Sequence, residues 1–180
     1  MNTDDELIAN LKSPESREQG FRELMTLYKE RLYWHIRKIV YSHDDADDVL
    51  QNTFIKIYRN IDGFKGQSKL YSWMYRIATN EAISHINANA KRMKISSEEV
   101  QEQAVQNLKA DIYFDGDEIQ LKLQQAIATL PQKQQLVFNM KYFDDLKYKD
   151  MSEILETSEG ALKASYHHAV KKIESFLTKD

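Results

Sequence analysis

Between Phe21 and Tyr41 the apolar residues recur three and four apart: Phe21, Leu24, Met25, Leu27, Tyr28, Leu32, Ile36, Ile39 and Val40. A strand would need a period of two. This spacing instead follows the 3.6-residue turn and predicts a long helix with a broad apolar face. The pattern returns at Val49, Leu50, Phe54, Ile57 and Tyr58, at Trp73, Met74, Ile77, Ala78, Ala82 and Ile86, and at Ile119, Leu123, Ala126, Ile127 and Leu130. Five Gly and two Pro in 180 residues leave little for the turns of a sheet-rich fold. Leu, Lys, Glu, Gln, Ala and Met, all good helix formers, are abundant throughout. The chain is therefore predicted to be all-α.

The breaks between these segments set the organisation. A short helix over Asp4–Leu11 ends near Ser13-Pro14, because proline disfavours helix in the residue before it. His43-Asp44-Asp45 opens a helix with acids at its positive end, and Ile61-Asp62-Gly63 closes it. A loop over Phe64–Lys69 leads to a helix over Leu70–Asn89. From Lys94 to Gly116 the chain is polar and acidic, with only weak helical hints at Val100, Ala104, Val105 and Leu108, and reads as a linker. Beyond it, helices are predicted from Asp117 to Pro131 and over Gln134–Tyr142, then as a close pair, Tyr148–Leu155 and Gly160–Leu177. Charge follows the same division. Phe64–Lys94 holds six basic residues against Glu81 alone, whereas Ile95–Ala126 holds seven acids against Lys109 and Lys122. Two small helical domains, 1–94 and 117–180, joined by an acidic linker over 95–116, are expected.

Several function classes fall away. There is no cysteine, which excludes disulfides, thiolate metal sites and Cys nucleophiles and fits an intracellular compartment. Met1–Glu6 carries three acids and no basic segment leading into an apolar run, so no secretory signal is expected. No stretch approaches the roughly 18 to 20 apolar residues that cross a bilayer, and a cytoplasmic protein is expected. No nucleophile–base pair, metal cluster or phosphate-cradling glycine loop stands out, so neither catalysis nor a cofactor is expected. The net charge of -3 argues against a stand-alone nucleic-acid binder, whose affinity comes largely from Lys and Arg on phosphates.

The C-terminal helix pair, separated only by Glu156-Thr157-Ser158-Glu159, has the outline of a helix-turn-helix. At about 100° per residue, Leu162, Tyr166, Ala169 and Ile173 share one face of the second helix. Gly160, Lys163, Ala164, His167, His168 and Lys171 gather opposite, free to meet DNA. Ser158 stands where a hydroxyl caps the helix start, whose positive end favours a phosphate. An ordinary helical hairpin with a solvated lysine face fits the same residues. His167 and His168 point about 100° apart with no third ligand at suitable spacing, which argues against a metal site.

Upstream, Phe64, Lys65, Lys69, Tyr71, Trp73, Tyr75 and Arg76 interleave aromatics and cations, with Asn80 beyond. This combination holds single-stranded DNA, because bases stack on rings while cations track the phosphates. The polar Gly66-Gln67-Ser68 segment suits a pocket for a flipped base. Core packing is the competing role for Trp73 and Tyr75. Asp44, Asp45, Asp47 and Asp48 exceed what a helix start needs, and their mutual repulsion suits a basic partner, with Gln51 and Phe54 extending the contact.

In this order the segments resemble the extracytoplasmic-function (ECF) sigma factors of the sigma-70 type over nearly the whole chain. Asp45-Ala-Asp-Asp-Val49 with Gln51 and Phe54 resembles the family's Asp-Ala-Glu-Asp-Leu run, which implies docking of Asp45, Asp47, Asp48, Gln51 and Phe54 on core RNA polymerase. Phe64-Lys-Gly-Gln-Ser-Lys-Leu-Tyr-Ser-Trp-Met-Tyr-Arg-Ile-Ala-Thr-Asn80 resembles the loop and helix that melt the minus-ten element. The implied strand contacts are Phe64, Lys65, Gln67, Ser68, Lys69, Trp73, Tyr75, Arg76 and Asn80. Leu130-Pro131 and the residues to Tyr142 are similar to the start of the family's second DNA-binding domain, and Tyr148–Ala169 is similar to its reader of the minus-thirty-five element. That implies Ser158, Lys163, Ser165, His167, His168 and Lys171 at duplex DNA. Ser165, His168 and Val170 stand where Arg is common, Gln135 also replaces an Arg, and Glu156 replaces a turn Gly. The resemblance further implies a signal-responsive regulon, an acidic linker threaded into the polymerase, and a membrane-bound anti-sigma factor, with no membrane insertion of the chain itself. A stand-alone helix-turn-helix regulator would need only residues 117–180 and leaves the Asp cluster and aromatic loop unexplained. A helical adaptor that never meets DNA would treat the basic patches as solvated faces.

Overall fold

The computed structural model describes residues 3–110 and 116–179, apart from the side chain of Lys109, and contains no strand among them. The helices are α1 (Thr3–Lys12), α2 (Arg17–Val40), α3 (His43–Asn60), α4 (Leu70–Met93), α5 (Ser97–Gln106), α6 (Glu118–Ala128), α7 (Gln132–Tyr142), α8 (Tyr148–Leu155) and α9 (Glu159–Leu177), with a 3-10 turn over Ile61–Gly63. Local chemistry sets their ends. α2 stops at Tyr41, which takes a left-handed conformation (φ 60°) while its N–H donates to the Arg37 carbonyl. Ser42 then caps α3 by accepting from the Asp45 N–H. α4 runs past the predicted Asn89 to Met93 and ends on Lys94, again left-handed at φ 58°.

The apolar stripes of α1 to α4 close on one another through Leu7, Leu11, Leu24, Leu32, Ile36, Val49, Ile57, Met74, Ala78 and Ala82. α1 lies close against α2 at Gly20, where a Cβ would sit 3.1 Å from the Leu11 backbone nitrogen. This core does not stop at α4. Leu136, Val137 and Met140 of α7, Leu146, Met151 and Ile154 of α8 and its approach, and Leu162 of α9 belong to the same buried cluster. Ala126, Ile127, Leu130, Phe138, Ala169 and Ile173 form a second core among α6, α7 and α9.

The segment expected to be an unstructured connector is partly helical. α5 begins with a capping box: Ser96 accepts from the Glu99 N–H, and the Glu99 carboxylate accepts from the Ser96 N–H. Val105 is buried against Tyr41 and Ala128, and this small core holds α5 in place. Its few apolar positions give too little periodicity to predict it, although Ser-x-x-Glu is a start signal. The remainder of the expected linker, residues 111–115, lies outside the described residues.

A polar seam runs through the core. His35 is buried, with Nε2 2.7 Å from Thr79 Oγ1 and its ring 4.6 Å from that of Tyr75. Thr79 Oγ1 donates its hydrogen to the Tyr75 carbonyl at 2.7 Å, so Nε2 must donate and Nδ1 is the bare nitrogen of the neutral ring. Nδ1 faces Asp144 at 3.6 Å, too long for a hydrogen bond, and Asp144 is paired with Lys38 at 2.5 Å. Burial lowers the pKa of His35; the Asp144 carboxylate works against that and Lys38 adds to it. Below the ordinary value of 6.5 the unfolded chain therefore binds a proton that the folded chain refuses. Stability should fall as pH drops below that value, and His35→Gln should flatten this dependence in urea titrations. Ile36→Ala, emptying a fully buried site, should cost about 2 to 5 kcal/mol in the same assay.

Candidate nucleic-acid and partner interface

Three surfaces hold the residues singled out by the sequence. The first is the α2–α3 face. An open groove of about 980 Å³ is lined by Phe21, Met25, Leu50, Phe54, Ile55 and Tyr58, with Glu18, Lys29, Asp47, Gln51 and Arg59 around them. Asp47, Gln51 and Phe54 thus share one concavity. Phe54 is part of its floor rather than a projecting contact, because its ring packs edge-on to Phe21 at 6.1 Å. Asp48 is exposed beside it, while Asp45 turns away to His85, 3.1 Å distant. Asp47 meets His43 at 3.3 Å. The groove's apolar wall is not legible in the sequence. Ile55 and Tyr58 are exposed on α3, although the spacing groups Tyr58 with the core-facing residues, because a periodic pattern does not say which edge of a stripe lacks a covering neighbour.

The second surface is the loop before α4 and that helix's first turns. Lys65, Gln67 and Lys69 are exposed and Ser68 is half-buried, on a turn where Gly66 supplies a left-handed φ of 71°. Arg76 and Trp73 are half-buried and Asn80 is exposed. Phe64 and Tyr75 differ from the expected strand contacts. Phe64 is buried with its ring 5.2 Å from Trp73, and Tyr75 is fully buried with its hydroxyl 3.4 Å from the Arg31 carbonyl. Neither offers a free ring face for a base in this arrangement; Tyr75 occupies the inward side of α4, where its bulk fills core volume beside His35. Burial raises the Tyr75 pKa.

This second surface is engaged by the third. Lys69 Nζ lies 3.0 Å from Asp150 Oδ1, and the Tyr71 hydroxyl donates to the other oxygen of the same carboxylate. Arg76 pairs with Glu156 at 3.0 Å. Burial pushes the Asp150 carboxyl up, but hydrogen bonds from Tyr71 and Lys69 with the charges of Lys69 and Lys147 outweigh it and hold the group below its ordinary value. The hydrogen bond to Asp150 in turn raises the pKa of Lys69.

Asp150 sits on α8, the first helix of the C-terminal pair, and Glu156 sits in the turn that follows it. The Ser152 hydroxyl donates to the Thr157 carbonyl at 2.6 Å and fixes that turn. Ser158 Oγ accepts from the Ala161 N–H at 3.3 Å at the head of α9. Leu162, Ala169 and Ile173 face the core, whereas Lys163, His167, His168 and Lys171 are exposed and Ser165 is half-buried. Lys163 Nζ rests 5.6 Å from the centre of the Tyr148 ring.

Comparison with known proteins places these surfaces in a family. Residues 24–92 match Sigma-70 region 2, and residues 120–173 match Sigma-70, region 4; together they span well over half of the chain. The chain is 26% identical over 182 residues to the RNA polymerase sigma-H factor of Pseudomonas aeruginosa, covering 97% of this chain and 93% of that protein. It is 29% identical over 159 residues to the ECF RNA polymerase sigma factor SigW of Bacillus subtilis, covering 83% and 84%. Its fold is similar to that of CnrH, solved in complex with the cytosolic domain of CnrY, at a TM-score of 0.72 and 18% identity over 99% of each chain. It is also similar to RpoE from Bartonella quintana, solved with the anti-sigma factor NepR, at a TM-score of 0.67 and 20% identity over 89% and 98%.

The cap at the head of α9 gives a direct check on the local geometry. Ser158→Ala should cost about 1 kcal/mol of stability, and Ser158→Asp should retain it, in denaturant melts.

Proposed function

The chain belongs to the sigma-70 family of RNA polymerase sigma factors, in its extracytoplasmic-function branch, and on that premise we propose how its surfaces divide the work of promoter-specific transcription initiation. The observation that carries the reading is the ordered presence of both sigma-70 regions with an exposed cationic face on each. Residues 1–94 form the unit that holds core polymerase and captures the melted non-template strand. Residues 117–180 form the unit that docks on duplex DNA, and 95–116 connect them through α5. The chain supplies recognition and makes or breaks no bond, and it acts in the cytoplasm where polymerase and promoter are.

Polymerase docks at the α2–α3 groove. Asp47 and Gln51 with the exposed Ile55 and Tyr58 give it an apolar floor and an acidic edge, which suits an amphipathic basic helix. Asp48 extends the acidic edge outside the groove, and Asp45 orients the helix start through His85. At the second surface Lys65, Lys69 and Arg76 track the strand phosphates, Gln67 and Ser68 read a base edge, and Trp73 backs the loop by packing on Phe64. Asn80 lies on the same helix, further along. On α9, Lys163, Ser165, His167, His168 and Lys171 face duplex DNA and Ser158 presents the helix start to a phosphate. An anti-sigma factor, commonly membrane-bound in this branch, is the partner that sequesters the chain.

Run-off transcription with purified core polymerase tests the reading: added protein should give starts at a specific promoter. Asp48→Lys should weaken polymerase binding about tenfold, near 1.4 kcal/mol, in a titration with labelled protein. The absence of any promoter-specific start would remove the assignment. Lys163→Ala with Lys171→Ala should lower promoter affinity and shrink its salt dependence, by about one unit of slope for each phosphate no longer neutralised, in filter-binding of the holoenzyme.

A further inference from the structure

The outward face of α9 holds two side chains whose charge depends on pH. His167 and His168 are both exposed, and their rings lie 6.1 Å apart. Among the described residues neither imidazole makes a hydrogen bond or an ion pair. Lys163, His167 and Lys171 follow one another at four-residue spacing and form one row along about 12 Å of the helix. His168 stands beside that row, about one turn before Lys171 and Lys172. α9 contains no arginine, so these lysines are its only permanent cations. Its acids, Glu159 and Glu174, lie about two turns from His167, beyond the lysines of the row. No charge on the helices packed against α9 pairs with either ring. Asp150 of α8 and Glu156 in the turn after it hold Lys69 and Arg76 of α4. Lys141 of α7 rests on the Tyr148 ring that Lys163 also covers. α6, with Glu118 and Lys122, meets α9 at Ile173 and Phe176. Lys133 of α7 and Lys149 and Glu153 of α8 are likewise paired with neither imidazole.

We propose that His167 and His168 take up protons when α9 meets duplex DNA, so that this chain's hold on a promoter strengthens as pH falls. The inference rests on the duplex-reading assignment of α9 given above, and adds the proton as a second ligand of that surface. An imidazole changes charge between about pH 5 and pH 8, whereas the lysines beside it stay charged throughout. A neutral ring has a single N–H; a protonated ring donates from both nitrogens and carries a positive charge. The acceptors that a helix meets in the major groove are phosphate oxygens and, on guanine, N7 and O6. A phosphate within about 4 to 6 Å favours the charged ring, and a hydrogen bond accepted by guanine from its second N–H does the same. Coupling of this kind is reciprocal: a ring that holds its proton more tightly on the duplex binds the duplex more tightly once protonated. Full protonation adds two charges to the three of Lys163, Lys171 and Lys172.

Core polymerase carrying this chain, titrated at constant ionic strength onto a fluorescein-labelled duplex of the promoter that run-off transcription identifies, measures the coupling by anisotropy. If the duplex holds the proton of each ring about tenfold more tightly, affinity should rise about sixfold per ring between about pH 8 and about pH 6. His167→Gln/His168→Gln should remove that rise, and because both sites are exposed the variant should melt like the parent. The difference between the two pH profiles isolates this pair from His35, His43 and His85, which both proteins share. His168→Arg should bind more tightly than the parent at about pH 8 and keep only the contribution of His167 to the rise. Salt separates the two acceptors. Contact with phosphate steepens the salt dependence at about pH 6 by about one unit of slope per ring, and contact with guanine leaves the slope as it is. The same pH dependence in parent and Gln variant would overturn the proposal. Where Lys163→Ala with Lys171→Ala still weakens binding, that result leaves the duplex assignment of α9 standing. If the parent directs no promoter-specific start, the assignment itself fails. The same comparison, made with the chain alone on a labelled duplex pool of degenerate sequence, then decides the proton uptake: a pH dependence lost in the Gln variant keeps it, and no difference removes it.

Discussion

Helix α4 carries two obligations at once, and the rest of the molecule is arranged around them. Met74, Ala78, Ala82 and Ile86 on one side close the core against α2 and α3, so the direction of every other residue on the helix is fixed. Tyr75 and Arg76 are neighbours about 100° apart on the wheel. One is driven inward onto His35 and the other outward toward Glu156. Arg76 is therefore positioned by a packed core, and Lys69, at the N-cap of the same helix, is held in register with it, while Lys65 stands on the loop before them. Interiors pack at crystal-like density, so the placement has little slack.

That same rigidity explains the seam around His35. A buried imidazole needs partners for both nitrogens, and α2 alone supplies none. Thr79 of α4 satisfies one. The other looks toward Asp144, which arrives from the C-terminal half and is itself held by Lys38. Nδ1, left without a partner by the N-terminal helices, makes no hydrogen bond and faces the carboxylate from the turn between α7 and α8 across 3.6 Å. The apolar cluster that crosses from α4 to α8 is threaded by specific polar contacts, and these restrict how the halves fit together.

Much of the fold was legible in the sequence because it depends on periodicity. The stripes of α2, α3, α4 and α6 mark helices, and the two faces of α9 separate as the wheel predicts. Periodicity is silent on three matters. It could not show α5, whose ten residues carry too few apolar positions, although Ser96 and Glu99 announce its start. It could not decide whether an aromatic at helical spacing stacks on a base or fills the core, and Phe64 and Tyr75 are buried in the described structure. Nor does it pair charges across 80 residues. Lys69 and Arg76 read locally as strand contacts, Glu156 as a turn residue and Asp150 as nothing in particular, and only the chain's tertiary path brings them together.

Glu156 brings these threads to one position. It follows α8 in a left-handed conformation at φ 52°, where glycine would sit without steric cost. A residue with a Cβ gives up about 1 kcal/mol there. By the local rules of turn chemistry the substitution is a loss. The carboxylate it introduces, however, reaches Arg76 at 3.0 Å, and an exposed pair of this kind returns between about 0 and 1 kcal/mol. The two terms nearly cancel, so the residue adds little net stability while adding a contact that depends on the position of the other half of the chain. A glycine would leave the turn intact and Arg76 without this carboxylate. Glu156 thus makes the turn after α8 a contact between the two halves of the chain, where a glycine would make it a turn alone.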